Sequence, residues 1–369
     1  MRILLAGGGT AGHINPALSI AAYAKKMDSE TQVLFIGKAG NMEETLVPKA
    51  GYDIEFIDIA GFTRSLSLKN IAVILKTIKA TGDCKRLIRE FKPDVVVCTG
   101  GYVSGPVMKA AYACGVPSII HEQNVFPGVT VKLSQRYASY LATSFADTKN
   151  HLKRKDKCVF TGNPVREEVL LADPVLARTA LRLDDRPFIL AFGGSLGAAR
   201  LNDAVTDYIE EIVKNDSVQI LFGTGKRYYD AVMEEIKKRG IDLEKHKNVR
   251  VSGYIYDMDM AMAAADVVIG RAGAISISEI TALGKASVLI PSPNVVHNHQ
   301  YTNAKLLEEQ GAAAVVTEDV LSGRALQEKV EAMLDSKDTL ARYGENAKKL
   351  GVTDASQKIY ELACSLVRK

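Results

Sequence analysis

The stretch VVIGRAGAISISEITALGKASVLIPSPNVVHNHQYTNA, residues 267–304, carries the clearest structural pattern in the chain. Its apolar run Val267–Ile269 is typical of a buried parallel strand. Gly270 and Gly273 follow, and they allow a sharp turn and a close approach to a ligand. A helix, a second strand, a proline-containing loop and another helix come next. The stretch therefore predicts a β-α-β unit of an open parallel sheet.

Several side chains of this stretch have the chemistry to bind a nucleotide sugar. The helix beginning with Ala274, Ile275 and Ser276 directs unpaired N–H groups at the turn, which suits a diphosphate. Glu279 lies one turn later and can accept hydrogen bonds from ribose hydroxyls. Gln300 opens the next helix, and its amide both donates to and accepts from sugar hydroxyls. A β-α-β unit whose glycines only make turns explains the same spacing, so the residues alone leave both interpretations open.

The first half of the chain opens with a similar pattern. Arg2–Ala6 predicts a strand, and Gly7, Gly9 and Gly12 then match the G-x-G-x-x-G dinucleotide fingerprint. The second strand, Val33–Gly37, ends in Gly-Lys where a dinucleotide enzyme would place its ribose-binding acid. We therefore expect a loop that favours phosphate without binding a dinucleotide.

His13 is the candidate catalytic side chain of this loop. It lies beyond the carboxyl end of a strand, where open α/β sheets bind ligands. An imidazole that titrates near neutral pH suits a general base for a sugar hydroxyl. A histidine that only holds the turn in place explains the position equally well. Asn15 followed by Pro16 predicts that the helix begins at Pro16.

Two further polar segments follow strands of the first half. The glycine-containing segment Thr99–Pro106 comes after one predicted strand, and His121–Asn124 comes directly after the next. Turn formation alone explains the glycines of the first segment. It does not explain four consecutive polar residues after an apolar strand. We therefore expect a second ligand surface near His13.

Charge is concentrated in one region. The formal net charge of +4 is too small to indicate a nucleic-acid partner. Between Arg64 and Lys92, however, the sequence contains eight basic residues and only two acidic ones. This region contains an apolar helical stripe with cations beside it: Ile71, Ile74, Leu75 and Ile78, with Lys76 and Lys79. The stripe is either a core face or a patch that rests on anionic lipid.

Cysteine usage and hydropathy limit the compartment and the class. The five cysteines are scattered without a C-x-x-C pair, which argues against a disulfide framework or a zinc site and for a reducing cytoplasm. No apolar stretch approaches the length of a membrane span, so membrane contact is expected to be peripheral. Asp257 and Asp259 form D-x-D, a pattern with which some enzymes bind a divalent metal. We favour helix capping for both, since no other acid or histidine is nearby.

The pattern of the first half restarts in the second. Phe188–Phe192 and Gly193–Ala198 repeat the order of apolar strand, glycine loop and helix. In the loop, Ser195 can bind a phosphate. Thr161–Arg166 contains Gly-Asn-Pro, which indicates a linker between two domains. Arg166 then has the chemistry to stabilise a diphosphate leaving group.

Taken together, the motifs resemble the MurG family of GT-B glycosyltransferases over essentially the whole chain. They occur in the family's order: GGGTAGHINPAL, GGYVSGP, HEQN, TGNPVR, GGSLGA, GAISISE and HQYTNA. The resemblance implies an α/β GT-B fold with two doubly wound, Rossmann-like domains facing each other across a cleft. It implies an acceptor and membrane-associating domain, 1–162 with a returning C-terminal helix at about 351–369. It also implies a donor-binding domain, 163–350.

By the same resemblance, roles carry over residue by residue. The implied contacts to the donor sugar nucleotide are Thr10, Ala11, Gly12, Asn124, Arg166, Ser195, Ile255, Ala274, Ile275, Ser276, Ile277, Ser278, Glu279 and Gln300. The backbone of Ile255 is expected to read uracil. The expected acceptor-side residues are Tyr102, Ser104 and Glu122. The chain departs from the family at Ala11, where glycine is common, and at His299, where some members have a second glutamine.

The resemblance also implies a reaction. The donor would be UDP-GlcNAc and the acceptor lipid I, undecaprenyl-diphospho-N-acetylmuramoyl-pentapeptide. The muramoyl 4-hydroxyl would attack with inversion, His13 would be the base, and no metal cofactor would be needed. The enzyme would lie peripherally on the cytoplasmic face of the membrane and bind no nucleic acid. The alternatives are another GT-B enzyme (a lipid glycosyltransferase or a UDP-GlcNAc 2-epimerase), an oxidoreductase, or a non-catalytic binding subunit.

Overall fold

The computed structural model describes residues 1–60, 69–194, 196–295 and 298–367, without the side chains of residues 69–72 and 74. Within it the chain divides into two compact units. The first consists of Met1–Arg166 and Val352–Lys369, and the second of Glu167–Gly351. The domain roles implied by the resemblance stay a prediction.

The first unit alternates strands and helices. In chain order its elements are β1 (Arg2–Gly7), α1 (Ala11–Met27), β2 (Gln32–Gly37), α2 (Glu43–Lys49), β3 (Asp53–Phe56), α3 (Lys69–Phe91), β4 (Val95–Gly100), α4 (Ser104–Ala113), β5 (Ser118–Glu122), α5 (Val129–Ser134), β6 (Tyr140–Thr143) and β7 (Cys158–Phe160). Short 3-10 helices, Ala146–His151 and Lys155–Lys157, precede β7. The central strands are apolar and buried because helices cover both faces of the sheet.

The second unit is built in the same way. Its elements are α6 (Glu167–Leu171), α7 (Pro174–Ala180), β8 (Phe188–Phe192), α8 (Ala199–Asn215), β9 (Gln219–Gly223), α9 (Tyr229–Lys238), β10 (Val249–Ser252), α10 (Met258–Ala264), β11 (Val267–Gly270), α11 (Ala274–Leu283), β12 (Ala286–Leu289), α12 (His299–Glu309), β13 (Ala314–Val315), α13 (Gly323–Leu334) and α14 (Lys337–Leu350). The last helix, α15 (Ala355–Val367), belongs to the first unit, where Ile359 and Ala363 are buried in a cluster with Ile14 of α1.

Both sheets have one topology. All strands are parallel, and their orders are β3-β2-β1-β4-β5-β6-β7 and β10-β9-β8-β11-β12-β13. In each sheet the order reverses beside the first strand, between β1 and β4 and between β8 and β11. Open parallel sheets bind ligands beyond the carboxyl ends of the strands at such a switch point. The predicted repeat of strand, glycine loop and helix is confirmed, and each glycine loop lies at a switch point.

Helix α3 buries a different face from the one predicted by the apolar stripe. Val73, Ala80 and Leu87 face the core, whereas the side chains of Leu75 and Ile78 are 63% and 60% exposed. The core-face interpretation is therefore wrong for Leu75 and Ile78, because they lie on the opposite side of the helix from the buried residues. The side chains of Ile71 and Ile74 lie outside the described residues.

The cations beside this face are exposed too. Lys76 Nζ lies 2.9 Å from Asp58 Oδ1, and Lys79 is exposed one turn along the helix. None of the described helices combines the length and the apolar character that crossing a bilayer requires.

Candidate active-site residues at the two switch points

Helix α1 begins close to the first glycine loop. Thr10 occupies the N-cap position with an extended backbone, so Ala11, Gly12 and His13 form the first turn. The predicted start at Pro16 is wrong. Pro16 is the sixth residue of the helix, where it has no N–H to donate to the carbonyl of Gly12. His13 is therefore held by a helix rather than by a loop.

A buried carboxylate occupies the first glycine loop. Glu43 begins α2 and is buried, with Oε2 3.0 Å from the Gly9 backbone nitrogen and Oε1 3.2 Å from that of Lys38. Gly8 and Gly37 leave no space for a side chain, because Glu43 fills the volume beside both. The prediction that this loop favours phosphate is wrong at Gly9, since its N–H already donates to the side chain of Glu43.

The Nδ1 atom of the His13 ring has two hydrogen-bond partners in the first unit. His13 Nδ1 lies 3.1 Å from the backbone oxygen of Thr99 and 3.2 Å from Oε1 of Gln123. Thr99 Oγ1 also donates to the backbone oxygen of His13, at 2.7 Å. The two interpretations of His13 are compatible, since a ring held through Nδ1 can exchange a proton through Nε2.

Two of the residues expected on the acceptor side also hold the loops at this switch point. The Tyr102 hydroxyl accepts a hydrogen bond from Asn41 Nδ2 at 2.5 Å, and its ring lies under the ammonium of Lys38. Ser104 is buried, and its hydroxyl donates to the Gly100 carbonyl at 2.7 Å and accepts from the Gly100 N–H at 3.1 Å. Contact of Tyr102 and Ser104 with an acceptor stays a prediction.

The segment His121–Asn124 turns largely inward. Glu122 is buried and accepts hydrogen bonds from the backbone N–H groups of Asn124 at 3.0 Å and Gly128 at 2.7 Å. Burial raises the pKa of Glu122, and these hydrogen bonds offset part of the rise. The ligand surface predicted at this segment does not include the side chains of His121 and Gln123, which are buried and bonded to other protein groups. Glu122 is equally buried, and its contact with an acceptor stays a prediction. Asn124, held by Glu122, keeps its predicted donor role as an expectation.

The glycine loop of the second unit is shaped by a close approach of two backbones. Gly194 and Gly197 have φ of +88° and +74°. A Cβ on Gly197 would collide with the backbone oxygen of Thr224, and one on Gly225 would lie 2.6 Å from Gly197. The loop leads directly into α8. Ser195 lies outside the described residues, and Arg166 is the last residue of the first unit, so their diphosphate contacts stay predictions.

Helix α11 presents its N-terminus at the β8/β11 switch point. Gly273 is its N-cap residue, and the first turn therefore consists of Ala274, Ile275 and Ser276, as predicted. The side chain of Ile277 is buried in the core, and Ser278 Oγ donates to the backbone oxygen of Ala274 at 2.8 Å. Glu279 is buried one turn from the helix start.

The loops beside this helix are tied together by two polar side chains. Gln300 Oε1 accepts a hydrogen bond from the Ser292 N–H at 2.9 Å, so its NH₂ group is the part that can donate to a sugar hydroxyl. Arg271 forms an ion pair with Glu318 and donates to the backbone oxygen of Ile290 at 3.2 Å. No local pattern in the sequence indicates this role of Arg271, because its partner Glu318 is 47 positions away.

The segment after β10 combines a buried aliphatic residue with exposed aromatic rings. The side chain of Ile255 is buried against Gly223, so only its backbone is suited to read a base. Tyr254 and Tyr256 flank it with ring centroids 4.9 Å apart, and Lys226 lies over both rings.

The D-x-D residues lie at a helix start. Asp257 is the N-cap residue of α10, although its side chain makes no capping hydrogen bond, and Asp259 lies in the first turn. Their carboxylates favour the helix dipole from these positions. Within the described part of the chain, no three His, Cys, Asp or Glu residues are grouped as metal ligands.

Comparison with known proteins assigns the family. Residues 3–143 match the Glycosyltransferase family 28 N-terminal domain, and residues 188–359 match the Glycosyltransferase family 28 C-terminal domain. A crystal structure of MurG from Acinetobacter baumannii is 27% identical, with a TM-score of 0.75 and 99% coverage of each chain. An Acetivibrio thermocellus protein is 41% identical over 100% of this chain and 99% of its own length, and it is named UDP-N-acetylglucosamine--N-acetylmuramyl-(pentapeptide) pyrophosphoryl-undecaprenol N-acetylglucosamine transferase. The chain belongs to the MurG family.

Membership of the MurG family confirms the predicted fold class and the predicted enzyme class. The two Rossmann-like α/β units are those of a GT-B glycosyltransferase, and MurG-family enzymes are N-acetylglucosaminyltransferases. A structure of UDP-GlcNAc 2-epimerase from Neisseria meningitidis bound to UDP-GlcNAc is also similar, with a TM-score of 0.70. At 15% identity over 99% of this chain and 100% of that one, it shares the fold alone.

Proposed function

We propose that this chain transfers GlcNAc from UDP-GlcNAc to the 4-hydroxyl of the N-acetylmuramoyl sugar of lipid I, and so forms lipid II for peptidoglycan synthesis. The observation that carries the proposal is the 41% identity, over all 369 residues, to a protein named for this transfer. The matched length includes both switch-point loops and therefore both groups of candidate residues.

The donor is bound by the second unit through dipoles and amides. The first turn of α11 binds the diphosphate, and the carboxylate of Glu279 accepts from the ribose hydroxyls. The NH₂ group of Gln300 donates to GlcNAc hydroxyls, because its oxygen is engaged by Ser292. The backbone of Ile255 reads the uracil edge. Ser195 and Arg166 add contacts to the diphosphate, and Thr10, Ala11, Gly12 and Asn124 add contacts from the first unit.

The chemical step is one in-line displacement. His13 Nε2 takes the proton of the muramoyl 4-hydroxyl as the oxygen bonds to the anomeric carbon of GlcNAc. The bond from that carbon to the diphosphate oxygen breaks, and its electron pair leaves with UDP, which inverts the anomeric centre. A positioned base contributes about 10²–10⁴-fold to such a step.

No metal cofactor is required by this scheme. The N-terminal dipole of α11 and the guanidinium of Arg166 supply the positive charge that a metal supplies in other glycosyltransferases. The positions of Asp257 and Asp259 support a metal-free reaction. Both lie at the start of α10, where acidic residues favour the helix dipole, so the D-x-D pattern needs no metal to explain it.

The lipid acceptor requires the enzyme to reach a membrane. Leu75 and Ile78 are exposed on α3, and the neighbouring cations Lys76 and Lys79 are exposed beside them. An apolar face ringed by cations suits peripheral binding to the anionic cytoplasmic leaflet, where each cation contributes about 1 kcal/mol. Nucleic acid is not a partner.

Radiolabelled UDP-GlcNAc, incubated with a short-chain lipid I analogue with and without EDTA, tests the function. We expect label in the lipid-linked disaccharide, with UDP released in equal amount and no effect of the chelator. A reaction without acceptor that isomerises the sugar would instead indicate an epimerase. Loss of transfer with EDTA, restored by Mg²⁺, would contradict the metal-free scheme and leave the substrate assignment standing.

A further inference from the structure

A chain of buried polar side chains runs inward from the ring of His13. It leads through Gln123 to His121, which are 3% and 0% exposed. No step of the proposed transfer uses either side chain. Burying polar groups costs free energy unless each is hydrogen-bonded, so the direction of every bond in the chain carries information.

The inner end of the chain fixes the tautomer of His121. His121 Nε2 lies 3.1 Å from the backbone oxygen of Gly162, and a carbonyl can only accept, so Nε2 carries the hydrogen. Burial lowers the pKa of His121 to about 4, which keeps the ring neutral near pH 7. Ser144 Oγ lies 3.0 Å from the same nitrogen and 2.7 Å from Asn163 Oδ1. Nδ1 of His121 is therefore a hydrogen-bond acceptor.

This acceptor fixes the orientation of the Gln123 amide. Gln123 Nε2 lies 3.0 Å from His121 Nδ1 and 2.5 Å from the backbone oxygen of Thr99, and both of those atoms accept. The two hydrogens of the NH₂ group are thus both used. Turning the amide over would bring its oxygen against two acceptors, so Oε1 must face His13.

The hydrogen on the His13 ring follows from these orientations. His13 Nδ1 faces two acceptors, Gln123 Oε1 at 3.2 Å and the Thr99 oxygen at 3.1 Å, and must therefore carry the hydrogen. We infer that Gln123 is a positioning residue that, with His121 behind it, holds His13 in the tautomer whose lone pair is on Nε2. The inference rests on the proposed function, in which Nε2 takes the acceptor's proton.

The arrangement also suits the charged state of the ring. When the O–H bond of the acceptor breaks and its proton bonds to Nε2, the Nδ1–H stays in place. The oxygens of Thr99 and Gln123 then stabilise the imidazolium without rearrangement. Gly100, at φ +106°, lies directly against the His13 ring. A Cβ at this position would be 2.7 Å from His13 Nδ1, so a side chain there would displace the ring.

The tautomer can be read directly, without turnover, from long-range ¹H–¹⁵N spectra of full-length protein with ¹⁵N-labelled histidine rings. His13→Gln assigns the signals by removing them. We expect neutral His13 to carry its hydrogen on Nδ1 in the wild-type protein. A ring with the hydrogen on Nε2, or a mixture of both forms, would overturn the inference whether or not His13 is the base.

Gln123→Met, which removes the amide and keeps the side-chain length, tests the role of Gln123. We expect His13 to shift toward a mixture of tautomers and kcat to fall about 10- to 100-fold, part of what a general base contributes. KM for UDP-GlcNAc should change by no more than about twofold. The matched control is Gln135→Met, because Gln135 is buried in the same unit and accepts from the N–H groups of Lys153 and Arg154.

The outcomes separate the inference from the proposed function. An unchanged tautomer in Gln123→Met, with kcat reduced no more than in Gln135→Met, would contradict positioning by Gln123. Full turnover in His13→Gln would contradict His13 as the base and leave the tautomer measurement valid. An altered tautomer together with the loss of kcat in Gln123→Met alone would support the inference.

Discussion

Glu43 Oε2 accepts a hydrogen bond from the backbone N–H of Gly9, at a distance of 3.0 Å. The side chain of Glu43 therefore takes up the N–H of Gly9, which in a phosphate-binding loop would be available to the ligand. A ligand phosphate at Gly9 would have to displace or approach a buried carboxylate, which like-charge repulsion opposes. The contact gives the loop a different task, which is to fix the backbone that enters the helix of His13.

Glu43→Gln should destabilise the first unit, because an NH₂ group would then face one of two backbone N–H donors. A buried donor without an acceptor costs about 1–3 kcal/mol, and we expect the urea midpoint to fall accordingly. Glu44→Gln is the control, since Glu44 is exposed and should change stability by less than about 0.5 kcal/mol. Equal urea midpoints for the two variants would contradict a stabilising role of the Glu43 carboxylate. Tighter phosphate binding by Glu43→Gln would support the charge argument.

The contrast between Glu43 and the glycine loops shows what the sequence could and could not predict. Strand, glycine and helix patterns are local, so the repeat from Arg2 and from Phe188 predicted both sheets, and the stretch from Val267 predicted the start of α11. Glu43 and Gly9 are 34 positions apart in the sequence, so no local pattern predicts their contact. Likewise, the inward turn of His121 and Gln123 depends on partners contributed by other strands.

Helix α3 is the other instructive case, because it has apolar residues on two faces. Periodicity identified the stripe through Leu75 and Ile78, but only packing decides which face a sheet covers. The partners of Gln300 could not be predicted either, since an amide offers both donors and an acceptor until Ser292 takes the oxygen.

Gln300→Glu should separate the loop contact from the sugar contact. A glutamate keeps an oxygen for the Ser292 N–H but has no hydrogens for GlcNAc hydroxyls. We expect an unchanged melting temperature and an unchanged affinity for UDP. The value of kcat/KM for UDP-GlcNAc should fall by an amount equivalent to roughly 1–3 kcal/mol of transition-state stabilisation. Calorimetric titration with UDP and initial-rate measurements check this. Equal weakening of UDP and UDP-GlcNAc would argue against a role in reading the sugar.

The exposed face of α3 should bind anionic vesicles. The double variant Leu75→Asn with Ile78→Asn removes two exposed apolar side chains, each worth about 1.5–3 kcal/mol when it enters the bilayer. We therefore expect the partition coefficient onto phosphatidylglycerol vesicles, measured by cosedimentation, to fall by about 100-fold or more. The control is Leu171→Asn with Leu176→Asn, two equally exposed apolar residues of the second unit. The same loss in both variants, or no loss in either, would contradict a specific lipid-binding face.

The buried His121 should make the protein less stable in acid. Its pKa is lowered from 6.5 to about 4 in the folded chain. Between these values the unfolded chain binds more protons, so stability is full above pH 6.5 and falls as the pH approaches 4, by on the order of 3 kcal/mol. Urea unfolding across this window should show a flatter profile for His121→Asn than for wild type. A profile as steep in His121→Asn, or flattened equally in the exposed His151→Gln, would contradict the assignment.

Two glycines of the second unit allow the energetic cost of the close backbone approach at its glycine loop to be measured. Gly197 and Gly240 have φ of +74° and +73°, but a Cβ on Gly197 would collide with Thr224, whereas Gly240 has open space. Gly240→Ala should therefore cost only the left-handed backbone, about 1–2 kcal/mol. Gly197→Ala should cost clearly more, and it should also weaken UDP binding, because Gly194–Ala198 would have to move away from the Thr224 loop. Urea midpoints and the shift in melting temperature with UDP measure both effects. If the two variants lost equal stability and kept equal UDP affinity, the contact between the Gly197 and Thr224 backbones would have no part in shaping the glycine loop of the second unit.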